Sequence, residues 1–140
     1  MFDQAIKKIM QPEKFLSASA QTSVSEAARL MAERNVGAVL VLDAHALIGI
    51  FTERDVVFRV VAKGLDPKLT PLQDVMTPSP ISLGPKASYG HAMLLMHENG
   101  FRHIPVVEDG HPIGIVSSRN AMDPDLEEFV AEERRREHHR

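Results

Sequence analysis

The sequence predicts a mixed α/β protein, α+β in stricter terms, built from two pseudo-symmetric halves, and three observations carry that prediction. The stretch Gly49-Ile50-Phe51-Thr52-Glu53-Arg54-Asp55 returns in altered form as Gly114-Ile115-Val116-Ser117-Ser118-Arg119-Asn120. The halves superpose without a gap from Ser23 to Arg54 at an offset of roughly 65 residues, with about ten identical positions, among them Glu33 with Glu98 and Val41 with Val106. In each half, a segment with helical periodicity precedes two apolar runs joined by a tight turn. The chain is an internal duplication.

Taken in order, residues 1–22 read as a short helix, a break at Pro12 and an extended piece through Phe15-Leu16-Ser17. Ser23-Val24-Ser25-Glu26 carries the signature of a capping box, and it opens a helix with Val24, Ala27, Ala28, Leu30 and Met31 on one face. That helix ends near Asn35 to Gly37. Residues 38–42 and 47–51 are two strands joined by a turn, and a helix from Thr52 to about Lys63 is closed by Gly64. Prolines 67, 71, 78, 80 and 85 mark the next stretch as connection, with a short apolar segment at 72–76. Ile81-Ser82-Leu83 resumes the extended piece, Ser88 to Asn99 repeats the helix, and 104–107 and 113–116 repeat the strands. Asp123-Pro124 breaks the pattern, leaving a separate C-terminal helix with Leu126, Phe129 and Val130 on one side. The expected partition is a first unit with its N-terminal lead at 1–66, a linker at 67–80, a second unit at 81–122 and a terminal helix at 123–140.

Composition narrows the function. The 140 residues suit one domain or two intimate halves with an aliphatic core, since there is no Trp and one Tyr. The absence of cysteine excludes disulfides, thiolate metal sites and cysteine nucleophiles. The N-terminal residues lack the apolar run of a signal peptide or membrane span, so a soluble, cytoplasmic protein with no membrane contact is expected. A formal charge of -3, with Glu132 and Glu133 before Arg134-Arg135-Arg136, gives no basic field for nucleic acid. Histidines 45, 91, 97, 103 and 111 lack metal-ligand spacing, and neither a nucleophile with its base nor a Gly-rich phosphate loop occurs. No catalytic residue and no metal site is assigned.

The repeated stretch supports two readings. A hydroxyl residue at the end of an apolar run, with a short polar residue three positions on, is how a strand enters a capped helix. The same glycine, hydroxyl and carboxylate suit a ribose diol, because glycine admits a ligand close to the backbone while Thr52 and Asp55 supply hydrogen-bonding groups.

The duplicated unit ending in Gly-Ile-Phe-Thr-Glu-Arg-Asp resembles the cystathionine-beta-synthase (CBS) domain. So do Val36-Gly37-Ala38-Val39-Leu40-Val41, Met76-Thr77-Pro78 and Phe101-Arg102-His103-Ile104-Pro105-Val106-Val107. The resemblance spans nearly the whole chain and implies two β-α-β-β-α units packed through their sheets, commonly paired into a homodimeric disc. It further implies clefts for adenosine-containing ligands (AMP, ATP or an NAD-type nucleotide) whose occupancy regulates an attached or associated protein, here unidentified. Carried over by position, it places the ribose on Asp55, Thr52 at the sugar or phosphate, and the Ile50 backbone near the base, with Arg54 beside them. Thr77, Pro80, Ile81 and Phe101 form the other wall, with Arg102 and His103 where phosphate is bound. For Arg102 an exposed arginine before a strand, and for His103 a half-buried histidine satisfied by backbone, are the structural alternatives.

The pseudo-symmetric cleft draws on Leu16, Gly37, Ala38, Ile115, Ser117, Arg119 and Asn120. Its carboxylate has become Asn120, and Thr77 is matched by Gln11. A neutral acceptor is weaker than a carboxylate, whose charge-assisted bonds are roughly twice as strong, so the Asp55 cleft is expected to bind nucleotide and the Asn120 cleft to be weak. The expected function is a non-catalytic adenine-nucleotide sensor. The alternative is an interaction subunit that keeps the fold without effective ligand binding.

Overall fold

The computed structural model describes residues 2–10, 15–120 and 124–138. In the first half β1 (Leu16–Ser19) pairs in parallel with β2 (Ala38–Asp43), which pairs antiparallel with β3 (Ala46–Thr52), which in turn takes the two-residue β4 (Thr77–Pro78) on its far edge. The second half repeats the hairpin as β5 (His103–Glu108) and β6 (His111–Ser117), with Leu83 bridging in parallel to Val106. The duplication reaches the register. Ala38 faces Thr52 as His103 faces Ser117, and the ladder slips between Val41 and Leu42 as it does between Val106 and Val107.

Helix α1 (Val24–Arg34) begins at Ser23, whose hydroxyl accepts from the Glu26 amide, and ends at Asn35 in the left-handed conformation. Only half of the expected capping box forms. The Glu26 carboxylate instead accepts from Arg29 at 2.6 and 3.2 Å, because one turn of helix brings an opposite charge closer than its own N-cap amide. Helix α3 (Tyr89–Asn99) copies the arrangement, with Ser88 accepting from the His91 amide and Gly100 at the left-handed end. Helix α2 starts as one α-turn, Glu53–Asp55, and continues as a π-helix over Val56–Val61, where the sequence predicts a plain α-helix. Val56 and Val60 pack on the first core while Val57, Phe58 and Val61 are exposed, and an apolar run this continuous marks no single stripe from which the helix form could be read. The terminal helix α4 runs Pro124–His138.

Each half is completed by a segment from outside its hairpin. The linker joins the first core through Leu72 and Val75, with the Val24 amide donating to Thr70 and Leu72 to Thr22. The N-terminal segment joins the second core through Ile6 and Met10, with Tyr89 donating to Gln4 and Ile6 to Ala87. The two halves therefore exchange equivalent segments. Between the sheets, Ala38, Leu40 and Ile50 form a third cluster with Ile115, Leu47 and Phe15 against it. This apolar seam packs the units together through their sheets, as the CBS resemblance implies.

Candidate functional site

Strand β3 ends at Thr52, whose extended backbone (φ -122°, ψ 166°) turns the chain into α2. There the two sequence readings meet in one side chain. Asp55 Oδ2 accepts from the Thr52 amide at 2.9 Å and from Thr52 Oγ1 at 3.2 Å, while the Asp55 amide donates weakly back to Thr52 Oγ1 at 3.4 Å. The capping box is complete. Asp55 is 8 % exposed, and a buried carboxylate needs such partners because leaving it unpaired costs several kcal/mol, on the order of 3–5.

The other carboxylate oxygen faces Arg59, with Nε 3.4 Å from Oδ1. Arg59 Nη1 also donates to the carbonyls of Val75 at 3.2 Å and Met76 at 3.1 Å. The sequence reading passes over Arg59. Its signal was the spacing of four residues from Asp55, which places opposite charges on one helix face. Arg54, assigned to the cleft, lies over the Phe58 ring at 4.7 Å, where a guanidinium is held by the ring face.

The other wall comes from the linker. Thr77 pairs with Ile50 and Pro78 with Gly49, and the Ser79 amide donates to Ile48 at 3.0 Å. Thr77 and Pro80 are half-buried, Ile81 is exposed, and Phe101 packs against the second core. Among the second-cleft residues, Leu16 lies in the first core, Ala38 is buried in the seam and Ile115 packs against that seam. Ser117 receives the Tyr89 hydroxyl on its carbonyl at 3.1 Å. Asn120 closes the 3-10 turn Ser118–Asn120; its side chain and Gln11 lie outside the described residues.

Between the two junctions the pseudo-symmetry continues: the Glu53 amide donates to Gly37 and the Ser118 amide to Arg102, both at 3.0 Å. Gly37 is short of space, since a Cβ there would stand 3.0 Å from Glu53 Oε1 and 3.4 Å from His103 Cε1. Burial holds the His103 imidazole below its ordinary pKa; Glu53 opposes this, while Arg119 and Arg102 reinforce it. Beside this cluster a cavity of about 300 Å³ has an apolar wall of Met31, Val36 and Val56, with Gly37, Glu53 and Arg119 at its edge. It gathers Gly37 and Arg119 of the second cleft rather than the Asp55 group. Among the described residues no set of three His, Asp or Glu side chains could hold a metal ion, and no helix is long and apolar enough to cross a membrane.

The pattern of the CBS domain matches residues 6–62 and again residues 72–124. The chain belongs to the CBS domain family. The CBS domain-containing protein CBSCBSPB2 of Arabidopsis thaliana is 39 % identical over 115 residues, 81 % of this chain but 21 % of that protein, so the chain spans about a fifth of that relative's length. A CBS-domain protein from Burkholderia ambifaria MC40-6 superposes with a TM-score of 0.79 at 32 % identity, covering 84 % of this chain and 90 % of that one. The CBS domain pair of protein MJ0100, crystallised with 5'-methylthioadenosine and S-adenosyl-L-methionine, superposes at 0.76 with 24 % identity over 84 % of this chain and 95 % of that one, a likeness in fold. CBS domain pairs are generally regulatory modules, and this chain is such a pair.

Proposed function

We propose that this CBS pair is a non-catalytic sensor that binds an adenosine-containing ligand (AMP, ATP or an NAD-type nucleotide) in the cleft at Asp55. The observation that carries the reading is the placement of a buried carboxylate, with Thr52, beside the paired backbones of Ile50 and Thr77. In this reading the Ile50 and Thr77 backbones receive the base, Asp55 orients the ribose, and Arg102 and His103 receive phosphate. The bound adenosine compounds of MJ0100 support the ligand class. The exposed apolar side chains of Val57, Phe58 and Val61 on α2 suit a homodimer contact, through which ligand occupancy reaches a regulated protein. Such a signal requires that the ligand bind one arrangement more tightly than the other.

Calorimetric titration with AMP, ATP, NAD and S-adenosylmethionine tests the proposal. Asp55→Ala is expected to abolish most binding and Asn120→Ala to change little; equal losses overturn the asymmetry. No binding by the unmodified chain leaves the alternative, an interaction subunit with a CBS fold, which the engagement of both Asp55 oxygens within the protein favours.

A further inference from the structure

We propose that Arg59 is a positioning residue that couples the Asp55 carboxylate to the linker strand at Thr77, so that filling the cleft is felt by the segment joining the two units. The inference rests on the nucleotide reading of Asp55. Two hydrogen-bonding directions on Oδ2 are already used, by the Thr52 amide and hydroxyl, and Oδ1 faces the Arg59 guanidinium in an ion pair at 3.4 Å. A carboxylate offers about four such directions, so the two donors of a ribose diol fall to Oδ1, where the guanidinium stands. The diol and Arg59 compete for that oxygen.

Arg59 is the partner that yields. Its contact is the longest of the three at 3.4 Å, and its side chain is 47 % exposed, whereas the Thr52 donors are fixed by the strand and helix that they join. The guanidinium is one rigid plane, so Nε cannot swing away from Oδ1 without moving Nη1 against the Val75 and Met76 carbonyls. Those carbonyls immediately precede β4, which is held to β3 by the Gly49–Pro78 and Ile50–Thr77 pairs and by the Ser79 amide on Ile48. Val75 and Met76 also pack their side chains on the first core, so Arg59 is the charged tie among several on this short strand. Loosening this tie is transmitted to the Pro-rich linker.

In sequence, the same offset of roughly 65 residues puts Pro124 at the position of Arg59, so the repeat does not carry this arginine into the second half.

Hydrogen exchange on the full chain, without ligand and with AMP or S-adenosylmethionine, tests this. In the ligand-free protein Arg59→Met is expected to speed exchange of the Ser79 amide about tenfold, the loss expected for hydrogen bonds to a charged group. The Val24 amide, bonded to Thr70 on the other side of the unit, should be unchanged. In the unmodified chain the ligand should also speed Ser79 exchange, and in Arg59→Met it should add nothing further. Arg59→Lys keeps the charge but not the rigid fork, so it should behave as Arg59→Met does at Ser79, with exchange already fast and no further response to ligand. Unchanged Ser79 exchange in ligand-free Arg59→Met overturns the tie. A ligand that binds yet leaves Ser79 unaltered overturns the coupling alone. A wild-type chain indifferent to every adenosine compound overturns the coupling together with the nucleotide reading, while the ligand-free comparison still decides whether Arg59 holds the strand.

Discussion

The Met76 side chain occupies the space that a Cβ on Gly49 would need. Met10 stands in the same relation to Gly114 in the second half, where an added Cβ would come 2.7 Å from its sulfur. In each half the glycine that opens the repeated stretch is thus a packing glycine that admits a methionine from the exchanged segment. Gly49→Ala should therefore destabilise the chain by about 1–3 kcal/mol, the usual range for overpacking. Met76→Ala in the Gly49→Ala background should recover part of the loss. Urea unfolding of the two single variants and the double variant measures the coupling, and strictly additive losses would show that the two residues do not meet.

A second prediction comes from the hairpin turns. Ala44 and His45 adopt φ of 48° and 71°, and their counterparts Asp109 and Gly110 adopt 53° and 79°. The second hairpin uses residues suited to a turn with two positive φ angles; the first does not. Placing an ordinary residue in that region costs roughly 1–2 kcal/mol. Ala44→Asp with His45→Gly should raise the unfolding midpoint, and Gly110→His should lower it. The His111 ring contact to the His45 carbonyl at 3.2 Å involves backbone and survives the change. A stability unaltered by the Asp-Gly pair would contradict the assignment of strain.

Much of this was legible in the sequence because the repeat preserves what positions the backbone: the caps at Ser23 and Ser88, the strand registers, and the glycines at 49 and 114. Three features were not. Strand β4 lies among prolines, which read as connection, and only its pairing with β3 makes it a strand. The docking of Ile6 and Met10 in the second core is invisible because periodicity shows that a residue is apolar, not which core receives it. At the site, the capping reading of Asp55 is the one formed, and it engages an oxygen that a ribose would also use. Arg59 went unseen because the motif stops at Asp55, although its main-chain partners lie 16 and 17 residues further on.

The third prediction concerns pH. His103 has a folded pKa below its ordinary 6.5, so between those two values the unfolded chain binds a proton that the folded chain does not. The stability contributed by the neutral imidazole is therefore fully present above pH 6.5 and is lost as pH falls toward the folded pKa. Glu53, Arg119 and Arg102 face the ring and set the size of the effect, Glu53 reducing it and the arginines enlarging it. His103→Gln should flatten the decline between pH 7 and pH 5 relative to the unmodified chain. Thermal midpoints at four pH values for both proteins measure this, and a constant difference between the two curves would remove His103 as the cause.

The last prediction separates the two duties of Asp55. Its Oδ2 caps α2 through the Thr52 amide and hydroxyl, a task that needs an acceptor but no charge. Orienting a ribose and holding Arg59 draw on the charge, since bonds to an ionised acceptor are about twice as strong. Asp55→Asn should then retain most of the stability, whereas Asp55→Ala should lose about 1–2 kcal/mol from the uncapped helix. Both variants should lose most of their adenosine-ligand affinity. Thr52→Ala should cost about 1 kcal/mol by removing the hydroxyl on the other side of the box. Urea midpoints beside AMP titrations for the three variants make the comparison. If Asp55→Asn binds AMP as tightly as the unmodified chain, the carboxylate serves the helix alone, because its capping geometry would then account for everything that the side chain does.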